Sequence, residues 1–481
     1  MPKQLSDTML KFTQIDGEMP AKRDAKIRAE DFSEIYADYI REKAVEQSSR
    51  CSQCGVPFCQ SGCPLQNNIP DWLYLSAEGR LEEAYQLSAE TNSMPEICGR
   101  ICPQDRLCEG ACVIEKSGHG SVTIGAIEKT LTDNAWENGW VKPIKPSTER
   151  TLSVGIIGSG PAGLAAAEAL RTQGWQVSIY DRHDRAGGLL MYGIPNFKLD
   201  KKIVGRRIDH LKDGGVEFVL NTNIGTDVSI DELRRKHAAI LVATGVYKSR
   251  ELQVPGCGND DVIEALPYLT NSNRLGLGDK VDNVTAKDKH VVVIGGGDTA
   301  MDCVRTAVRQ KAKSVTCLYR RDQANMPGSA RETQNAMDEG VVFEWLAAPQ
   351  SIHDTNGQVT KVRAVRMRLG LPDRSGRQTV SPIKGSEFDL RADMVIQALG
   401  FTPEDMSEIH GDLQLTDYGT IKTHLTKFET SIPGVYAAGD IVRGASLVVW
   451  AIREGRDAAV TMHTYLIEQT VLVAGNKAAA G

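Results

Sequence analysis

A chain of 481 residues is long enough for roughly three folding units at about 150 residues each. With 41% hydrophobic and 25% charged residues it has an ordinary globular composition, and a formal charge of -6 removes the electrostatic case for a nucleic-acid binder. No run approaches the roughly 20 apolar residues of a membrane span, and the first twenty residues carry Lys3, Asp7, Lys11, Asp16 and Glu18 without an apolar stretch like that of a secretory signal, so the expected compartment is the cytoplasm.

Residues 1–50 are strongly charged, with a helix-like patch around Asp31–Lys43. Of the 11 cysteines, eight then fall between Cys51 and Cys112. In a reducing cytosol a disulfide framework is not expected, so the spacing reads as ligation. Cys51, Cys54, Cys59 and Cys63 form C-x2-C-x4-C-x3-C; Cys98, Cys102, Cys108 and Cys112 form C-x3-C-x5-C-x3-C. Pro64 follows Cys63 and Pro103 follows Cys102, as proline follows the last cysteine of bacterial ferredoxin runs. An iron–sulfur cube needs four thiolates converging from irregular loops, so two quartets match two [4Fe–4S] clusters. In two-cluster ferredoxins the last cysteine of a run serves the other cluster. By that logic Cys51, Cys54 and Cys59 go with Cys112, and Cys63 goes with Cys98, Cys102 and Cys108. Structural zinc is the alternative, but only the 51/54 pair has the commonest zinc spacing and no histidine sits nearby in register. Cys257, Cys303 and Cys317 stand outside the quartets; Cys303 and Cys317 read as small buried hydrophobes. Between the quartets, Trp72, Leu73, Leu81, Ala84, Tyr85 and Leu87 predict a helix over 69–91. Residues 1–145 are thus expected to form a mostly helical iron–sulfur domain, closed by a linker at Pro143 and Pro146.

An internal repeat follows. Residues 152–182 and 290–321 each read as a short apolar strand, a Gly-rich turn, an Ala-rich helix and a second strand, which is a βαβ dinucleotide-binding unit. In the first, Gly158 permits the tight turn, Gly160 lets the backbone approach a pyrophosphate, and Gly163 permits close helix–strand packing. Ser159, Pro161 and Ala162 complete the loop ahead of the helix N-terminus. Asp181, 21 residues after Gly160, is placed to accept from a ribose hydroxyl. The second unit carries Gly295 and Gly297, followed by Asp298, Thr299 and Ala300. Tyr319 stands where the first unit has Asp181, and Arg320 and Arg321 come next. A carboxylate there would repel a ribose 2′-phosphate, whereas guanidiniums would pair with it, so this site is expected to prefer NADP(H) over NAD(H). A strand over 239–243 runs into Thr244 and Gly245, and Val254–Gly256 reads as a hinge-like turn. Near the end of the chain a strand leads into Gly439 and Asp440, with a helix beyond.

Together these pieces resemble the glutathione-reductase-like flavoproteins, in which an NAD(P) domain interrupts an FAD domain. That resemblance implies FAD at the first fingerprint, with Gly188, Thr244, Gly245, Gly439 and Asp440 added to its site, and the nicotinamide cofactor at the second. The implied fold is α/β: a helical double-[4Fe–4S] domain over 1–145, an FAD domain over 146–255 and 402–481, and an NADPH domain over 256–401. The stretches RCSQCGVPFCQSGCPLQNNIPDW, PEICGRICPQDRLCEGACV, GSGPAGL, GGGDTAMDC and YRRDQANMP narrow the match. In them the whole chain resembles the small subunits of bacterial NADPH-dependent glutamate synthases, and its front is similar to the N-terminal part of dihydropyrimidine dehydrogenase. What the resemblance implies is a chain that oxidises NADPH through FAD and two [4Fe–4S] clusters. A large (α) partner would carry FMN and a further iron–sulfur cluster and make L-glutamate from L-glutamine and 2-oxoglutarate. A stand-alone NADPH:ferredoxin-type oxidoreductase of the same module is the second reading. No general acid or base is expected, since hydride transfer to flavin needs none, and no C-x-x-C beside the first βαβ unit suggests a disulfide reductase. Nucleic acid and membrane are not expected partners.

Overall fold

The computed structural model of the chain describes residues 8–480 apart from 283, 375 and 410. From residue 153 onward, short apolar strands alternate with helices and build two parallel sheets of the same topology. In the first, the strands run in the order Val435–Ala437, Ala239–Val242, Ser153–Ile157, Gln176–Tyr180 and Val216–Val219. In the second the order is Val262–Glu264, Met394–Gln397, His290–Ile294, Ser314–Tyr319 and Val342–Trp345. The inner strands of each sheet are largely buried on both faces, as parallel strands under helices must be. The first sheet is completed only by residues 435–437, so every strand of the second sheet is threaded between two segments of the first.

Helix Pro161–Thr172 covers the first sheet and crosses the long helix Val448–Ala480. Their crossing depends on Gly455, where a Cβ would stand 2.2 Å from the Ala162 carbonyl oxygen. A three-stranded antiparallel sheet over Ala347–Thr355, Gln358–Pro372 and Gln378–Arg391 projects from the second domain.

The cysteine-rich front is helical, with Trp72, Leu73, Ile124, Ile127 and Leu131 in its core. It departs from the sequence expectation twice. The helix expected over 69–91 is two helices, Ile69–Ala77 and Leu81–Thr91, because Gly79 takes φ +76° and turns the chain between them. The patch at 31–43 is an irregular strap that becomes helical only at Arg41–Ser48. One of its acids is spent inside the molecule. Glu34 pairs with Arg100 at 2.9 Å and accepts from the Asp200 N–H, while Phe32 packs near Phe197. Arg50, fully buried beside Cys51, donates to the carbonyls of Ile15, His119, Gly120 and Ser121, which fixes where the first quartet begins.

A buried ion network fastens the three bodies together. The Glu339 carboxylate, fully buried, meets Arg28 of the short helix Ala25–Arg28 at 3.0 Å and Arg305 and Arg309 of helix Asp298–Arg309 at 2.8 and 2.6 Å. The Arg305 and Arg309 guanidiniums lie 4.5 and 3.9 Å from the Phe197 ring, and Lys198 pairs with Asp302 at 2.8 Å. Removing Glu339 would leave three guanidiniums without their shared anion. Glu339→Ala is expected to cost about 3–5 kcal/mol of stability, measured by thermal denaturation, whereas Asp389→Ala, which breaks a solvent-exposed pair with Lys361, should leave the melting temperature within about a degree of wild type.

Candidate functional site

The first fingerprint closes on itself through carbonyl contacts that only glycine permits. Gly158 has φ +104° with a hypothetical Cβ 2.4 Å from the Ala243 carbonyl oxygen, and at Gly163 the Cβ would stand 2.0 Å from the Gly158 oxygen. At Gly160 nothing lies within 4 Å, so the backbone there faces open space. Gly188 backs onto Gly160, where its Cβ would come within 3.0 Å of the Gly160 Cα. The cleft in front of helix Pro161–Thr172 is walled by Gly158–Ala162, Asp181, Thr244, Gly245, Tyr247, Asp440 and residues 446–448. Gly439 enters this wall from the far end of the chain. It takes φ +82°, its Cβ would meet the Ala162 Cβ at 2.9 Å, and its N–H donates to Glu454 at 2.9 Å. Asp440 accepts from Ser446 Oγ at 2.6 Å, and burial raises its pKa.

Asp181 is more committed than its sequence position suggests. Its carboxylate accepts from the Ser159 N–H and Oγ, and from the His183 N–H and Nδ1, each nitrogen at 2.9 Å. Burial raises its pKa, but these bonds outweigh burial and hold it below the usual carboxylate range. Thr244 Oγ1, by contrast, is buried in the cleft with no partner among the described residues. An open glycine backbone facing a helix N-terminus, together with an orphaned hydroxyl, fits a dinucleotide pyrophosphate.

The second fingerprint repeats the design. Gly295, at φ +151°, would place a Cβ 2.3 Å from the Ala398 carbonyl oxygen, while Gly297 again has nothing within 4 Å. Asp298 and Thr299 begin the helix, and Ala300 is fully buried beneath it. The Asp298 carboxylate accepts the Ser329 N–H at 2.9 Å, which turns it away from a negative ligand and onto the loop that follows the Arg320–Arg321 pair. Arg320 is exposed and Arg321 buried. The 327–331 loop reaches the iron–sulfur body: Asp105 accepts from Ser329 Oγ at 3.2 Å and the Ala330 N–H at 3.1 Å, and Arg331 pairs with Glu109 at 2.7 Å.

The eight front cysteines are all free thiols. Cys63, Cys98, Cys102 and Cys108 line one pocket with Leu65, Leu107, Glu128 and Val449. The thiols whose charge Cys59 would feel are Cys51, Cys112 and Cys54. Burial pushes the Cys51 and Cys63 thiols up to about 11 and Cys59 to about 12. Hydrogen bonding to Cys102, together with full burial, raises Cys98 further. Among the described residues no three His, Cys, Asp or Glu side chains are gathered closely enough to hold one metal ion. A cube presents four irons at separate corners and so takes thiols that stand farther apart than the ligands of one ion. Largely buried sulfurs suit a group that brings its own positive iron and displaces the thiol protons. Cys303 and Cys317 are fully buried in the second sheet's core, as their apolar settings imply.

Glu128 was not legible as a site residue. Burial pushes its carboxyl up to about 8, so it carries a proton at neutral pH, and it accepts from Asn92 at 3.1 Å beside the second thiol set. The available signal was an acid at the i+4 position of the apolar stripe Ile124, Leu131 and Ala135. Two segments also separate the thiol pocket from the dinucleotide cleft. Ile101 lines the first-fingerprint cleft and Cys102 the thiol pocket, while Leu447 and Val448 line the cleft and Val449 the pocket.

Comparison with known proteins agrees with this layout. A family described as dihydropyrimidine dehydrogenase domain II, 4Fe-4S cluster, matches residues 28–140, and the pyridine nucleotide-disulphide oxidoreductase family matches residues 152–455. The glutamate synthase [NADPH] small chain of Azospirillum brasilense is 60% identical over 95% of this chain and 96% of its own length. The protein of the same name from Escherichia coli K12 is 45% identical over 95% and 98%. Among solved structures, Mycobacterium tuberculosis FprA in complex with NADPH superposes with a TM-score of 0.58 at 19% identity, over 67% of this chain and 86% of that one, a likeness of fold.

The glycine geometry yields a paired test. Gly163→Ala drives a Cβ onto the Gly158 carbonyl and is expected to destabilise the folded chain, while Gly160→Ala fills only open space. Gly160→Ala should therefore keep the wild-type melting temperature of the dinucleotide-free protein and lose bound dinucleotide, measured by absorbance of the released ligand.

Proposed function

The chain belongs to the family of NADPH-dependent glutamate synthase small chains, and on that premise we propose that it is the electron-input subunit of such an enzyme. It is an NADPH-dependent oxidoreductase of iron–sulfur and flavin type. In the proposed reading it serves a large FMN- and iron–sulfur-bearing partner in the cytoplasm that makes L-glutamate from L-glutamine and 2-oxoglutarate. Bound FAD would accept a hydride as an electron pair and release it in single steps, and iron–sulfur clusters would take one electron each.

The chain's own residues bind, orient and separate. Gly158, Ser159, Gly160, Pro161, Ala162, Gly163, Asp181, Gly188, Thr244, Gly245, Gly439 and Asp440 would hold FAD. Gly295, Gly297, Asp298, Thr299, Ala300, Arg320 and Arg321 would hold NADPH. Cys51, Cys54, Cys59 and Cys112 would hold one [4Fe–4S] cluster and Cys63, Cys98, Cys102 and Cys108 the other. The proposed domain limits stay at 1–145, 146–255 with 402–481, and 256–401. No side chain is assigned as acid or base, because the nicotinamide hydride needs orientation rather than a proton relay. The observation that carries the reading is the shared wall between the first-fingerprint cleft and the Cys63/Cys98/Cys102/Cys108 pocket. It supports an order in which that thiol set stands next to the flavin.

Anaerobic purification from the native cell tests the assignment. The expected material contains FAD, iron and sulfide, bleaches with NADPH, and brings a large FMN-containing chain with it. Bleaching by NADPH without such a chain would favour the stand-alone NADPH:ferredoxin-type oxidoreductase, and colourless, iron-free material would defeat both. The thiol grouping has its own check: Cys112→Ala should alter the same EPR signal as Cys51→Ala, and Cys98→Ala the other.

A further inference from the structure

The strand Ser314–Tyr319 delivers Arg320 and Arg321 side by side, yet the two guanidiniums serve different ends. Arg321 is 5% exposed, and its Nε donates to the Gln378 carbonyl at 3.0 Å. Its Nη1 is buried without a partner among the described residues. Arg320 is exposed. Gln378 opens the returning strand of the hairpin between Gln358–Pro372 and Gln378–Arg391. Its side chain is fixed as well: Asn325 Nδ2 donates to Gln378 Oε1 at 2.8 Å, and Asn325 is itself held by Asp322 at 2.6 Å. Tyr319 closes the loop by donating to the Asn325 carbonyl at 2.9 Å.

These bonds tie the hairpin tip to the end of the strand, and the residue next to the tie is Arg377. It is exposed, and its backbone N–H donates to Asp373 at 3.1 Å. Its charge reaches Arg320: burial, then Arg321, then Arg377 lower the Arg320 pKa from its usual value. Three like charges brought together by an antiparallel hairpin are unfavourable in the free protein and favourable around a dianion. They lie where a parallel-sheet dinucleotide site presents the adenosine ribose, just beyond its second strand.

We infer that Arg377, brought in from the hairpin, completes with Arg320 a clamp for the 2′-phosphate of NADPH. Arg321 is a positioning residue that seats the hairpin tip through Gln378. The inference rests on the reading that the second fingerprint binds NADPH, and it adds a specificity contact from an element outside the βαβ unit. It also explains why two adjacent arginines are present when only one reaches solvent.

The test is calorimetric titration of the purified full-length protein with NADP+ and with NAD+, alongside KM and kcat for NADPH and NADH. Arg377→Ala should weaken NADP+ binding and raise the NADPH KM about tenfold, the size of one exposed charge-assisted contact. It should leave kcat, NAD+ affinity and FAD content unchanged, and Arg377→Glu should weaken NADP+ further. Arg321→Ala should lose the same discrimination and add nothing further once residue 377 is alanine, an interaction that general destabilisation would not produce. Unchanged NADP+ affinity in both Arg377 variants overturns the clamp. A wild-type protein that bound NAD+ as tightly as NADP+ would instead strike at the NADPH reading itself, and the clamp would fall with it.

Discussion

A wall that includes Ile101 and Cys102, one lining each side, divides the first-fingerprint cleft from the pocket of four thiols. Single-electron exchange between two redox groups weakens steeply with the distance between them, so the value of each pocket depends on how thin that wall stays. Helix Pro95–Ile101 keeps it there. On one side Gly99 lies against helix Ile124–Glu137, where a Cβ would come within 2.7 Å of the Lys129 amide nitrogen. On the other side buried Glu96 makes a two-point bond to Arg207 of the dinucleotide domain, at 2.7 and 3.0 Å. A glycine contact and a buried carboxylate–guanidinium pair together fix the helix between two bodies.

The third body is fixed by different means. Helix packing would leave the second dinucleotide domain free to swing on its two connections to the first. The Arg28–Glu339–Arg305–Arg309 cluster and the Asp105 bonds to Ser329 and Ala330 hold it from two sides. The cost of burying so many charges is offset only while all partners stay in register. That makes the network a device for geometry more than for stability. The loop it holds down, residues 327–331, also covers the second fingerprint, since the Gly328 N–H donates to the Gly296 carbonyl at 3.0 Å. Nucleotide site, thiol loop and strap are therefore parts of one bonded surface.

The sequence was informative where local chemistry is severe. Gly158, Gly163 and Gly295 each sit where a single methyl group would strike a carbonyl, so the fingerprints could be read one residue at a time. The cysteine spacing marked eight ligands in two runs, while their proposed sharing between the sets follows the ferredoxin pattern in which the last cysteine of a run serves the other cluster. What could not be read depended on contacts far apart in the chain. The strap at 31–40 has helical periodicity but spends Glu34 on Arg100 and the Asp200 amide. The helix broken at Gly79 had an unbroken apolar pattern across the turn. Glu128 is ordinary on a helical wheel and becomes unusual only once the thiol pocket closes around it. The antiparallel sheet over 347–391 alternates weakly because much of it faces water, and with it went the position of Arg377.

On the proposed electron path, the Cys63/Cys98/Cys102/Cys108 set lies between the flavin cleft and the Cys51/Cys54/Cys59/Cys112 set. Rapid-freeze EPR after anaerobic mixing with NADPH, on the wild type and on Cys98→Ala, tests it most directly. With that order the variant still bleaches its flavin at the wild-type rate while the signal of the set containing Cys112 fails to develop. Wild-type development of that signal in a variant shown to lack the other cluster would contradict it.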